Sequence, residues 1–406
     1  MKKKYIVFGA MAMALGLKAQ KPDTAYQKKT LSKTDIEAVF SYYGQDGNNS
    51  AVTGGTGTEK LTVYAPNLKI AHHFKGRNTL AFSGGVDVIT SASTDNIDFV
   101  VSSASRVDAR SHADFDYRRE LKNAPVGIAG GAGFSLESDY LSLPFRLGLD
   151  YTAPSQMNSF QLAFQANFDD LRWGRLNEDY KRPVTLVYPV ELRGQEWFDI
   201  YRRNSYTLKM GFSQVVNKRL ILAIFPEVHY QKGLLSTPFH RVYFNDGSLK
   251  VENLPRQRWK LPVGLQANYF LGSRMVLKGN YSFYKDDFGI TAHAFQVENT
   301  IKISPAVALS ALLRYYTQKA SRYFKPFEQH EAGENFYTSD YDLAGLGSWK
   351  LGVNARLAPF WYVGNRCSFN EVNIRYAWYH RSNGLEAHIL TFSFGLSIEG
   401  KKGKKR

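Results

Sequence analysis

From His388 to Ile398 the chain alternates without a break. Leu390, Phe392, Phe394, Leu396 and Ile398 fall on one side, and Thr391, Ser393, Gly395 and Ser397 on the other. A period of two residues is the geometry of an extended strand whose faces meet different surroundings. One such strand would suit a soluble sandwich. The pattern, however, recurs along nearly the whole chain, with large apolar and aromatic residues on one face and small polar ones on the other. That repetition is the signature of a transmembrane β-barrel, with lipid outside the wall and a lumen inside. The expected fold is all-β: a single transmembrane antiparallel up-and-down barrel, which His388–Ile398 closes.

The first residues agree with an exported protein. Lys2, Lys3 and Lys4 precede an apolar run from Tyr5 to Leu17, and Ala19 is the expected cleavage point of a signal peptide spanning 1–19. No cysteine follows at that point, which argues against a lipoprotein. No later run of eighteen apolar residues could form a membrane-crossing helix. Export without a helical span, in a chain rich in Tyr and Phe, points to the outer membrane of a Gram-negative bacterium. The single Cys367 excludes an internal disulfide framework and any cysteine-based metal cluster. A mean hydropathy of −0.35 is compatible with a barrel, because only one face of each strand must be apolar. The net charge of +16 comes without a basic helix or an aromatic–basic motif, so no nucleic-acid partner is expected. Basic residues in the lumen, at the lipopolysaccharide level and in the tail 399–406 account for the sign.

After a periplasmic segment at 20–33, the pattern parses into about sixteen strands over 34–398. The first lies near 35–45 and the second near 59–74. In the second strand the apolar phase slips from Leu61, Val63 and Ala65 to Leu68, Ile70 and Phe74, which predicts a β-bulge at Pro66–Asn67. If strand one rises from the periplasm, the long loops 46–58, 93–111, 172–201, 234–257 and 320–347 all fall outside. The opposite turns are short, the longest near 360–368. Long loops on one side and short turns on the other are the rule for bacterial barrels. In loop 172–201 the apolar piece Val184–Tyr188 is expected to fold inward and narrow the lumen.

Alternation assigns the inward residues too. The expected acidic lining on strands three to seven is Asp87, Asp114, Asp116, Glu137, Asp150 and Asp169, against Arg118 and Arg146. The expected basic lining on strands ten to sixteen is Lys260, Lys278, Lys302, Arg314, Lys350, Arg356 and Arg375, against Glu298 and Glu371. Facing each other, the two halves would set up a transverse field; pairing between neighbouring strands is the simpler alternative. The Ser/Asp-rich loop holding Asp95, Asp98 and Asp108 offers hard oxygen ligands but no Ca²⁺-loop spacing, so no metal is assigned. His72 and His73 are adjacent on a strand and point to opposite faces, so they cannot chelate together. His112 shares a face with Asp114 and Asp116. No nucleophile motif such as Gly-x-Ser-x-Gly and no His-Glu-x-x-His is present, so neither enzyme activity nor a cofactor is expected.

Gly54–Leu61, Ser83–Asp95, Ser103–Ser105 with Asp108–Arg110, and Glu137–Tyr140 together resemble a family of Bacteroidota outer-membrane proteins described only as a domain of unknown function, DUF3570. The resemblance implies a barrel over nearly the whole mature chain and brings no catalytic residues. The leading expectation is a pore or solute-transport channel. It would sit in outer-membrane lipid and lipopolysaccharide, be inserted by the barrel-assembly machinery, and pass a small solute. The alternatives are a non-conducting barrel that anchors a partner and, third, a barrel enzyme acting on lipid or surface polymer.

Overall fold

The computed structural model describes residues 32–91, 108–137, 140–172, 200–359, 361–363 and 366–400. Nineteen strands follow one another. The first nine are β1 (Lys33–Asp46), β2 (Leu61–Phe74), β3 (Asn78–Ser91), β4 (Asp108–Glu120), β5 (Val126–Leu136), β6 (Leu141–Thr152), β7 (Asn158–Asp170), β8 (Arg202–Asn217) and β9 (Leu220–Gly233). A small hairpin, β10 (Arg241–Tyr243) and β11 (Leu249–Val251), interrupts them. Then come β12 (Gln257–Leu271), β13 (Met275–Asp286), β14 (Thr291–Lys302), β15 (Val307–Gln318), β16 (Leu346–Leu357), β17 (Tyr362–Val363), β18 (Cys367–Arg381) and β19 (Glu386–Glu399). One seventeen-stranded sheet contains all but the hairpin. The two-residue β17 only extends a turn, so sixteen strands make the wall.

Every wall strand pairs antiparallel with its neighbours, and β1 pairs with both β2 and β19. The seam with β19 is continuous from Lys33 opposite Glu399 to Asp46 opposite Glu386. The sheet therefore has no free edge, and every strand finds its backbone partners within the wall. The outward phase of each strand is exposed and apolar: Leu80, Phe115, Phe145, Leu147, Leu265, Phe295, Leu313, Val353, Ile374 and Phe392 stand free of protein contacts over much of their surface. Near the long-loop end this belt carries aromatic contacts, with ring centroids 4.5 Å apart for Tyr230–Trp259 and for Tyr315–Trp349, and 5.4 Å for Tyr42–Tyr64. Tyr117 and Tyr269 lie toward the other end. Aromatic rings at both rims of an apolar band match the two interfaces of a bilayer. The connections also divide as expected. The long ones leave the end where β1 stops, and 75–77, 121–125, 153–157, 218–219, 272–274 and 303–306 turn at the other.

Three details differ from the sequence reading. No bulge occurs at Pro66–Asn67. Tyr64 pairs with Val88 and Asn67 with Gly85, an unchanged register, and only the rungs at Ala65 and Pro66 are missing. Pro66 lacks an N–H, so it breaks the ladder without adding a residue. Tyr64 packs beside Tyr42 and is 44% exposed, so the even phase faces lipid along all of β2. Leu61, Val63 and Ala65 consequently face inward. The irregularities lie instead between Val215 and Asn217 and between Phe369 and Glu371. Second, β4 begins at Asp108, so 108–111 belongs to a strand and not to a loop. Third, β5 ends at Leu136, leaving Glu137 in the connection to β6.

Phe392 sits midway along β19, opposite Phe40 on one side and Ile374 on the other. Phe392→Arg should destabilise the barrel in a bilayer by about 2–4 kcal/mol. Urea-driven unfolding from lipid vesicles measures this, with Ser393→Arg on the opposite face losing much less.

Candidate functional site

The inward phase of β3 to β8 is charged and locally paired. Arg146 lies 2.6 Å from Asp114 and 3.0 Å from Asp116, Arg118 lies 2.6 Å from Asp150, and Arg203 lies 2.8 Å from Asp169. Arg110 lies 3.6 Å from Asp87 and 3.7 Å from Glu137. β5 makes room for these pairs. A Cβ on Gly131 would overlap the Asp116 carboxylate, one on Gly133 that of Asp114, and one on Gly127 that of Asp150. The carboxylates therefore lie flat against β5 where only glycine leaves space. His112 joins this face through Asn67, 3.0 Å away, and not through Asp114 or Asp116. Arg110 and Arg203, absent from the expected lining, supplement Arg118 and Arg146, so this half sets six carboxylates against four arginines and stays acidic, though less so than expected.

The opposite half keeps unpaired cations. Lys278 and Arg375 share Glu298 at 4.0 and 3.7 Å, and Arg356 lies 2.6 Å from Glu371. Arg258 is held by Asp286, which also accepts from Tyr284 Oη at 2.8 Å. Lys260, Lys302, Arg314 and Lys350 have no ion-pair partner among the described residues. Lys302 is exposed at the short-turn end. The other three are half-buried toward the long-loop end, with Arg314 directly opposite Lys350 in the register of β15 and β16. Arg314 lines a cavity of about 370 Å³ together with Arg258, Tyr284, Tyr316, Gln318 and Asp342. Half-buried cations without a carboxylate leave a site of positive potential open to an anion.

Above that cavity three loops meet. The β1–β2 loop and the β9–β12 loop rise from opposite sides of the ring, half-way round in the strand order. They nevertheless touch. Gly54, with φ +80°, lies so close to the Tyr243 ring that a Cβ would strike it. Tyr243 also packs on Phe327 of the β15–β16 loop, ring centroids 4.9 Å apart. Contact across the diameter means that loops span the mouth. They carry their own small core: Val242, Phe244 and Tyr337 are buried together, and Ile200, Tyr201 and Leu234 form a second cluster. Backbone bonds join the two larger loops, Asn253 N to Tyr337 O at 3.0 Å and Tyr337 N to Asn253 O at 2.7 Å. Arg381, in the β18 end, reaches Asp342 at 2.5 Å and lies 3.8 Å from Glu59.

Within the β15–β16 loop, His330 Nδ1 lies 2.6 Å from Glu334, which also binds Lys325 and accepts from Glu331 N at 3.1 Å. Burial alone would raise the Glu334 carboxyl, but Lys325, His330 and the Glu331 N–H outweigh it and hold it down at about 2. His240, Glu252 and Asp340 form a second titratable cluster, between loops. Burial opposes a charge on His240, yet Glu252 and Asp340 outweigh it and push the imidazole up to about 9. Burial and neighbouring carboxylates raise Asp340. No motif marks either cluster; their members come from loops without periodicity, and only mutual contact reveals them.

Of the weak metal candidates, Asp95 and Asp98 lie outside the described residues and Asp108 opens β4. Val184–Tyr188 also lies outside the described residues. His72 and His73 do diverge: His72 bonds Thr34 at 2.9 Å, and His73 bonds Thr79 at 2.9 Å.

Wall, lining and covered mouth together define a sixteen-stranded transmembrane β-barrel with a charged interior. The chain belongs to the family described as proteins of unknown function, DUF3570, whose model matches residues 102–387. The match takes in Ser103–Ser105, Asp108–Arg110 and Glu137–Tyr140, but neither Gly54–Leu61 nor Ser83–Asp95, so it is shorter than the resemblance implied. No curated protein matches the sequence. Among solved structures, the chain is similar to Pseudomonas aeruginosa OpdK with vanillate, at 10% identity over 90% of this chain and 98% of that one, with a TM-score of 0.42. A BenF-like porin from Pseudomonas fluorescens shows 10% identity over 90% and 99%, with a TM-score of 0.43. A bacterial polysaccharide outer-membrane secretin shows 8% identity over 92% and 100%, with a TM-score of 0.45.

The Glu334 clasp carries a pH dependence. Its carboxyl sits at about 2 against an ordinary 4.5, so its stabilising contribution is complete above 4.5 and is lost as pH falls toward 2. Glu334→Gln should raise amide exchange across 325–338 at neutral pH. After correction for intrinsic rates, the gap between variant and parent should close between pH 4.5 and 2.

Proposed function

We propose that the protein is an outer-membrane channel for small anionic solutes. The observation that carries this is a set of cations without an ion-pair partner among the described residues on the inner face of β12 to β16, Lys260 and the adjacent Arg314 and Lys350, with Arg314 lining the cavity beneath the mouth loops. Basic groups there raise the local concentration of an anion and lower its barrier to entry, an effect that low-dielectric walls strengthen. Across the lumen the carboxylates are held by arginines, which weakens their pull on a cation, so the passage favours anions. The apolar belt with its aromatic rims suits an outer membrane. In this reading, lipid and lipopolysaccharide surround the barrel and the barrel-assembly machinery inserts it. The reading needs no catalytic group and no cofactor.

A second reading draws on the loops that meet across the mouth: a closed barrel that does not conduct and serves as an anchor for a partner. Planar-bilayer recording of the purified chain separates the two. A channel gives discrete steps with anions more permeant than cations. Changing Lys260, Arg314 and Lys350 together to Gln should lower the anion-to-cation permeability ratio by about tenfold. Arg356→Gln, whose partner is Glu371, should change it little. Absence of steps in the parent protein would transfer the weight to the closed barrel.

A further inference from the structure

His240 and Glu252 flank the β10–β11 hairpin, and the Glu252 N–H donates to His240 O at 3.1 Å, which sets their side chains close together. Asp340 comes from the other large loop. One of its oxygens, Oδ1, caps the turn Tyr341–Leu343 by accepting from Asp342 N at 2.9 Å. The other, Oδ2, is turned toward His240, 3.8 Å from Nδ1. Glu252 Oε1 lies 3.5 Å from the same nitrogen. Nδ1 itself has no contact with solvent and no hydrogen-bond partner. The three ligand atoms all lie within 4.8 Å of one another.

These separations are too long for direct hydrogen bonds. The two separations from Nδ1, 3.5 and 3.8 Å, are close to the edge of a tetrahedron built on metal–ligand bonds of about 2.1 Å, which is about 3.4 Å. The carboxylate of Glu252 is already oriented, accepting from Thr237 N at 2.7 Å through Oε2 and from the Thr338 hydroxyl through Oε1. Such outer partners are what hold ligating carboxylates in place. The Glu252 side chain is only 2% exposed, whereas His240 and Asp340 are 20% and 23% exposed, which leaves the cluster reachable from outside. One imidazole nitrogen with two carboxylate oxygens suits a borderline first-row cation. Ca²⁺ and Mg²⁺ instead favour oxygen-only shells of higher coordination number.

The geometry points to a divalent transition-metal site formed by His240 Nδ1, Glu252 and Asp340, with Zn²⁺ the best-fitting ion, that staples the β9–β12 loop to the β15–β16 loop across the barrel mouth. Three protein ligands leave a fourth position for water or for an anionic group of a passing solute. His240 and Glu252 move with the hairpin and Asp340 with its own loop, so one ion adds a crosslink to two segments that already meet through backbone bonds, the Thr338–Glu252 hydrogen bond and the Phe244–Tyr337 ring contact.

The test uses the full chain in detergent micelles, stripped with EDTA and titrated with ZnCl₂ by calorimetry. One Zn²⁺ per chain should bind, and Co²⁺ in its place should give the visible absorption of a four-coordinate site. Asp340→Asn and His240→Gln should each weaken binding by at least about tenfold, while His229→Gln, a histidine paired with Glu227 inside the wall, should not. Zn²⁺ should also slow amide exchange at 237–252 and 338–343 in the parent and not in Asp340→Asn. Heat-modified gel mobility confirms that each variant is folded, and Asp340→Asn keeps the test decisive should His240→Gln fail to fold. Absence of saturable one-to-one binding, binding that survives both substitutions, or preference for Ca²⁺ over Zn²⁺ would each overturn the assignment. None of these readings depends on conduction, so the site and the channel stand or fall separately.

Discussion

The seam between β1 and β19 is the constraint on which the rest depends. A wall facing lipid cannot leave N–H and C=O groups unpaired, because hydrocarbon offers no alternative partner. Antiparallel hydrogen bonding from Lys33–Glu399 to Asp46–Glu386 removes both edges at once. Closure then ties the face of each residue to the register of its neighbours, which shifts only at Val215–Asn217 and Phe369–Glu371 among the described residues, since a slip of a single residue would turn a whole strand inside out. Pro66 shows how strictly this holds. It costs β2 two rungs toward β3, yet the register on either side is the same, and Tyr64 stays beside Tyr42 in the lipid-facing belt.

Closure also brings charges from separate strands onto one inner surface. On β3 to β8, Asp87, Asp114, Asp116, Asp150 and Asp169 each meet an arginine from a neighbouring or next-neighbouring strand, and the small residues of β5 provide the space. Cross-strand pairing of this kind lowers the cost of lining a half-buried surface with charge. On β12 to β16 the acids run short. Glu298 is shared and Asp286 is taken up by Arg258 and Tyr284, which leaves Lys260, Arg314 and Lys350 without an ion-pair partner among the described residues, Arg314 of them lining the cavity. The interior therefore sets a basic side with unpaired cations against a side whose carboxylates are held by arginines.

The mouth is organised on a different principle. The barrel wall turns its apolar residues outward and has little core of its own, whereas the loops bury Val242, Phe244, Tyr337, Leu234, Ile200 and Tyr201. The loops act as a miniature globular layer seated on the rim. Several of their polar groups pair inside the layer, His330 with Glu334 and Glu252 with Thr338, and Arg381 at the end of β18 reaches up to Asp342.

Much of the wall was legible because lipid on one side and lumen on the other impose a period of two that no other arrangement sustains over this length. The strand positions, the apolar faces of β12 to β19, the sixteen-strand total and the segregation of long loops to one end all follow from that alternation. The phase of β2 was misassigned because Leu61, Val63 and Ala65 are apolar residues on the inward face, and hydrophobicity alone cannot tell an apolar patch of lumen from lipid. Arg110 was hidden by a loop boundary set too late, Arg203 by a long preceding loop, and the acidic wall therefore looked less balanced than it is. The mouth was illegible for a stronger reason. His240 and Asp340, or Gly54 and Tyr243, meet only because the ring brings distant loops over one opening, and loops carry no periodicity from which such a meeting can be read. Sequence by itself determined the wall, since that depends on a repeating local choice between two solvents; tertiary structure alone decided the mouth and its clusters, since those depend on which loops closure places face to face.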